Sequence, residues 1–197
     1  MSNKAYFIRS LRILATIASL VAVSFCPSAR PQENKAFPTN GEISLVVTQT
    51  TRALSDYEAS VKLEEKLGAK DADLANDRRV IHGLKVMVDS VGVQPQKFNS
   101  WIGFTLVTLL DDASRNAALC NADAIQKGLK LTLVGDVNTA QEFLQLAQAC
   151  TSVSNLLYTI SENTTALYER YIRGEQGLAV EAVDAMNKCI DTLKAQK

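Results

Sequence analysis

Four cysteines and one histidine are the side chains in this chain best suited to covalent, redox or metal chemistry, and their spacing narrows the options. Cys26, Cys120, Cys150 and Cys189 form no C-x-x-C pair and no histidine stands near them, so a zinc site of the usual ligand spacing is not expected. Free cysteines often serve as small buried hydrophobes. In an oxidising compartment they pair instead. Cys120 and Cys150 lie on consecutive apolar stripes, each within about 16 residues of the loop between them. Antiparallel helices folded about that loop set such positions level, which makes this pair the favoured disulfide. Cys189 is then either free or joined to Cys26.

Acid–base chemistry finds little support. His82 follows Ile81 at the edge of a helical stripe, with no nucleophile or carboxylate placed beside it by a motif. No G-x-S-x-G, P-loop, G-x-G-x-x-G or H-E-x-x-H occurs. Asp71, Asp73 and Asp77 gather at a helix start, and Asp73 and Asp77 are spaced to share a cation. The helix macrodipole accounts for acids there without a ligand. Asp111-Asp112 is ambiguous in the same way. Asn163-Thr164-Thr165 matches a glycosylation sequon, but Thr164 is predicted to face a helix seam. The expectation is a non-enzymatic chain with no catalytic residue, metal or cofactor. The rival reading, an enzyme of scattered residues, would rest on His82, Asp73 and Asp77.

Tyr168, Arg170, Tyr171 and Arg173 crowd the end of one helix. Aromatic and arginine side chains are enriched at protein interfaces, so these four are the interface candidates.

The helix that carries them organises the rest. Phe143, Leu146, Cys150, Val153, Leu157, Ile160, Thr164, Leu167 and Tyr171 recur at alternating steps of three and four, the seam of a bundle or coiled coil. Asp136 is its predicted N-cap and Arg173-Gly174 its predicted end. Before it, Thr39 and Glu42 make a capping box for a helix running to Gly68, with Ile43, Val47, Thr50, Leu54, Tyr57 and Val61 inward. A second helix starts at Asp71, carries Leu74, Ile81, Leu84, Val88 and Val91, and stops at Gly92 and Pro95. A third holds the apolar run Trp101–Leu110 and is expected to reach about Gln126. Gly128 and Gly135 bracket KLTLV, the one place where a strand would interrupt the helices. A shorter final helix is predicted over Gly177 to Ala195, with Ala182, Met186, Cys189 and Leu193 inward. The fold class is therefore all-α, an up-and-down helical bundle of about five helices, four long and one shorter.

The N-terminus points to export. Lys4, Arg9 and Arg12 precede the apolar run Ile13–Phe25, and Ala22-Val23-Ser24 ends a signal-peptide layout over residues 1–24. Residues 25–38 hold three of the four prolines and read as a flexible tether before the domain at 39–197. Cys26 follows Phe25 rather than a small residue, which disfavours a lipid anchor there. Removing Lys4, Arg9 and Arg12 from the 21 basic residues leaves 18 against 21 acidic ones, a net charge of −3. That balance argues against a sequence-independent nucleic-acid binder. No membrane span is expected after cleavage.

Cys120 and Cys150, on successive helices, are similar in placement to the second disulfide of the plant invertase and pectin methylesterase inhibitors. The cysteine-linked hairpin that this family carries earlier is absent, because the first two helices contain no cysteine. No activity is carried across. The reading that remains is an exported (periplasmic or secreted) protein-binding bundle of the inhibitor, immunity-protein or envelope-adaptor type, with an unidentified protein partner. A heptad seam also suits a homodimer. The alternative is a binder or sensor of small hydrophobic ligands, with Ala113, Ala117 and Ala147 leaving a cavity.

Overall fold

The computed structural model describes residues 37–195, with side chains described to Lys188 and at Asp191. The expected signal segment, the tether before residue 37, Cys26 and the side chain of Cys189 lie outside the described residues. These fall into two compact units, Pro38–Glu169 and Arg170 onward together with Phe37.

Four helices make up the described chain: α1 (Asn40–Lys66), α2 (Asp71–Val93), α3 (Ser100–Leu133) and α4 (Val137–Ala195), with one 3-10 turn at Pro95–Lys97. No strand occurs among the described residues. Each start has a local cause. At α1, Glu42 N–H donates to Thr39 Oγ1 at 3.3 Å and Thr39 N–H donates back to Glu42 Oε2 at 2.8 Å. At α3, Asn99 Oδ1 accepts from Trp101 N–H at 3.0 Å and Ile102 N–H at 2.9 Å. At α4, Asp136 Oδ1 accepts from Thr139 N–H at 3.3 Å.

Cross-helix pairs fix an antiparallel register within Pro38–Glu169. Tyr57 meets Asp77 between α1 and α2, and Asn76 meets Asn116 between α2 and α3. Between α3 and α4, Cys120 faces Cys150, Ser114 faces Ser154 and Asp111 faces Ser161. The residue number rises on one helix as it falls on the other, which is up-and-down topology. The α4 seam is buried in this unit. Leu146, Cys150, Val153, Leu157, Ile160, Thr164 and Leu167 are all buried, and Phe143 is half-buried. Thr164, the one polar member, is fully buried and donates to the Ile160 carbonyl at 2.7 Å. Its hydroxyl is thus satisfied without leaving the seam.

Two boundaries differ from the sequence reading, and glycine explains both. The bundle has four described helices rather than five, because α4 continues through Arg173-Gly174. Gly174 is helical and buried, and a Cβ there would stand 2.8 Å from the Phe37 ring. It permits a close approach instead of ending a helix. Gly128 likewise lies inside α3, where a Cβ would come within 3.3 Å of the Ala140 carbonyl. The KLTLV stretch therefore stays helical to Leu133, and no strand forms there. The real stops are Gly68 and Gly135, whose φ values of +92° and +85° only glycine adopts readily.

Candidate interaction surface

Several of the polar side chains singled out by sequence hold helices or their starts together. The Tyr57 hydroxyl, 1% exposed, donates to the Asp77 carboxylate and accepts from Asn116 Nδ2 at 3.4 Å. Burial, followed by the hydrogen bond to Asp77, pushes the Tyr57 phenol far above its ordinary value and keeps it a neutral donor. Glu64, also near this cluster, is pushed up from the usual carboxylate range, first by burial and then by the Asp77 charge. Asp77 is thus a hydrogen-bond acceptor between α1 and α2. Asp73 caps the start of α2 by accepting from Lys70 N–H at 3.2 Å, and Asp71 accepts from Arg78 at 3.0 Å. His82 is exposed on α2. Among the described residues, no group of three or more His, Cys, Asp or Glu side chains is placed to hold a metal.

Asp111 has a similar part. Ser161, 2% exposed, donates to its Oδ1 at 2.5 Å, while Ser114 and Ser154 exchange bonds with each other's carbonyls at 3.1 and 2.9 Å. Above them Cys120 and Cys150 stand at disulfide distance, with Cα atoms 6.2 Å apart. Cys150 belongs to a cluster with Ala124, Leu146 and Ala147, and Leu63, Leu67 and Phe143 close over it. The α3–α4 pair is therefore joined at successive levels along its length.

The four interface candidates fall in two places. Tyr168, in the larger unit, is half-buried against α3, its ring centroid 6.2 Å from that of Phe104. Gly103 makes room for it, since a Cβ there would meet Tyr168 Cδ2 at 3.1 Å and Phe98 Cζ at 3.0 Å. In the smaller unit, Arg170 Nη2 donates to the Phe37 carbonyl at 3.4 Å. Tyr171 meets the Phe37 ring edge-on at 5.1 Å, with a phenol raised by burial and then by Glu175. Arg173 is exposed. On the predicted inner face of the last segment, Ala182 is half-buried and Met186 is 37% exposed. The side chains of Cys189 and Leu193 lie outside the described residues.

A surface missed by the sequence reading lies on α3. Its inward face is Ile102, Leu106, Leu110, Ala113, Ala117 and Ala124, all buried. Its outward face begins with Trp101, 62% exposed, and Phe104, 57% exposed beside Tyr168. Leu119, Leu129 and Leu133 continue it farther along. The run Trp101–Leu110 is apolar on both faces, so averaging over it hides the outer one. Reading 101, 104, 108, 112, 115, 119, 122, 126, 129 and 133 as a second series of steps of three and four would have found it.

A shallow groove of about 330 Å³ lies between α1 and α4, bordered by Gln49, Arg52, Asp56, Leu156, Ile160 and Asn163. It is away from Ala113 and Ala117, which are packed at 0% and 1% exposure. No helix among the described residues is long and apolar enough to cross a membrane. Compared with models of protein families, with curated proteins and with solved structures, the chain matches none.

Proposed function

We propose that the chain is an exported, non-enzymatic protein-binding bundle of the inhibitor, immunity-protein or envelope-adaptor type, and that its partner docks on the aromatic end of α3. One observation carries this reading: Trp101 and Phe104 are more than half exposed on the first turn of α3, with Tyr168 packed beside Phe104. Large aromatic side chains on a scaffold that leaves them solvated are the residue types that dominate binding energies at interfaces. Asn99 caps the helix directly beneath, so the two rings are held on a regular first turn. The test is affinity capture from the exported fraction of the native source, with oxidised protein as bait. A protein partner retained in fixed ratio, and lost on Phe104→Glu, is the expected outcome. Equal recovery on both baits contradicts it.

The α1–α4 groove favours a second reading, a binder of small hydrophobic ligands. Its volume of about 330 Å³ is at the small end of ligand pockets, and Leu156 and Ile160 supply an apolar floor. A rise in melting temperature with a hydrophobic ligand, lost on Leu156→Asn but retained in Phe104→Glu, would support this reading over the first.

A further inference from the structure

The second half of α3 bears a face that fits another copy of itself. At 100° per residue, Arg115, Leu119, Ala122, Gln126, Leu129 and Leu133 fall within about 40° of one line along the helix. That line is opposite the buried Leu110, Ala117 and Ala124. Leu119, Leu129 and Leu133 are 69%, 58% and 86% exposed, and Arg115, Ala122 and Gln126 are exposed with them. We infer that this face is a homodimer interface, in which α3 packs antiparallel on α3 of a second copy about a two-fold axis at Gln126.

The pattern is self-complementary about that residue. Leu119 and Leu133 each lie seven positions from Gln126, so each leucine meets the other in the second copy. Ala122 and Leu129 lie four and three positions away, which sets a large side chain on a small one twice. On one flank, Asp123, whose Oδ2 also pairs with Lys127 Nζ of its own helix at 2.7 Å, and Lys130 lie three and four away, so each Asp123 faces the Lys130 of the other copy. Under the same operation Gln126 meets itself, a polar pair that fixes register at some cost in affinity. A parallel pairing has no such match, because it places Asp123 on Asp123 and Lys130 on Lys130. The contact runs about 30 Å at 1.5 Å per residue, the small end of specific interfaces. A reversible dimer with a Kd of about 1–100 µM is the expected strength. This face is separate from the Trp101–Phe104 end, so the two sites stand or fall independently.

Sedimentation velocity of the oxidised protein, from about 1 to about 300 µM, tests the assignment around that expected Kd. The native protein should move from monomer to dimer across this range. Leu119→Glu should stay monomeric with an unchanged far-UV spectrum. Asp123→Lys should weaken the dimer at least about tenfold, one charge reversal per symmetric pair. Combining it with Lys130→Asp should restore the dimer, which a purely structural role for either residue would not do. A native protein that stays monomeric throughout overturns the assignment, including one that instead uses Leu129 and Leu133 to bind lipid vesicles. A dimer that survives Leu119→Glu overturns it equally.

Discussion

The hydroxyl of Tyr57, buried in α1, donates to the carboxylate of Asp77 on α2. Asn116 of α3 donates to the same hydroxyl at 3.4 Å, so one phenol oxygen joins three helices. Tyr57→Phe removes the donor and leaves both partners to find water at the half-buried Asp77. Loss of about 1–2 kcal/mol of unfolding free energy is expected, read from urea titration. Because the phenol titrates far above its ordinary range, Tyr57 should also stay un-ionised in the native protein at alkaline pH, and its phenolate absorbance should appear only with unfolding.

Glu64 gives the fold a pH dependence of known sign. Its folded pKa lies above the ordinary glutamate range, mainly through burial and then through Asp77, with Asp123 and Asp73 adding and Lys127 opposing. A folded value above the unfolded one means that ionised Glu64 opposes folding, and that this penalty is relieved as pH falls through the folded value. Glu64→Gln should therefore raise stability at pH 7. The gain should shrink as pH falls toward the unfolded carboxylate range, in paired denaturation curves across that interval.

The Cys120–Cys150 pair has a sequence separation of 30. Closing such a loop stabilises by about 3–4 kcal/mol in the chain-entropy account. Reduction should lower the melting temperature, and a peptide linking Cys120 to Cys150 should be found by mass spectrometry of unreduced digests. Full alkylation of both thiols without reduction would refute the bond.

The two faces of α3 should respond oppositely to substitution. Leu110→Ala, at a site with 0% exposure, should cost about 2–5 kcal/mol. Leu119→Glu, at 69% exposure, should stay within about 0.5 kcal/mol of native. Guanidinium titration of both separates a core face from an interface face.

Periodicity made the α4 seam legible from Leu146 to Leu167, because a buried helix face leaves its mark on every third or fourth residue. Capping chemistry did the same for Thr39 and Asp136. Glycine was the ambiguous signal. Gly68 and Gly135 end helices by a positive φ, whereas Gly128 and Gly174 let a neighbour approach, and the sequence looks alike in both cases. Which of these applies depends on what packs opposite, the Ala140 carbonyl or the Phe37 ring, and that is a tertiary fact. The Trp101–Phe104 surface was hidden for a related reason. A helix apolar on two faces reads as wholly buried until its neighbours are known. Tyr168 was singled out by residue type, and the ring beside it, Phe104, was not.

Trp101 is the chain's one tryptophan, which allows the proposed docking surface to be watched alone. The most direct measurement is 19F NMR of protein labelled with 5-fluorotryptophan, before and after addition of the partner recovered by capture. A single resonance with a large solvent-isotope shift that moves or broadens on binding, and loses that isotope shift, is the result expected if the aromatic end of α3 is the docking site. An unchanged resonance while the partner is demonstrably bound would place the interface elsewhere and contradict the account.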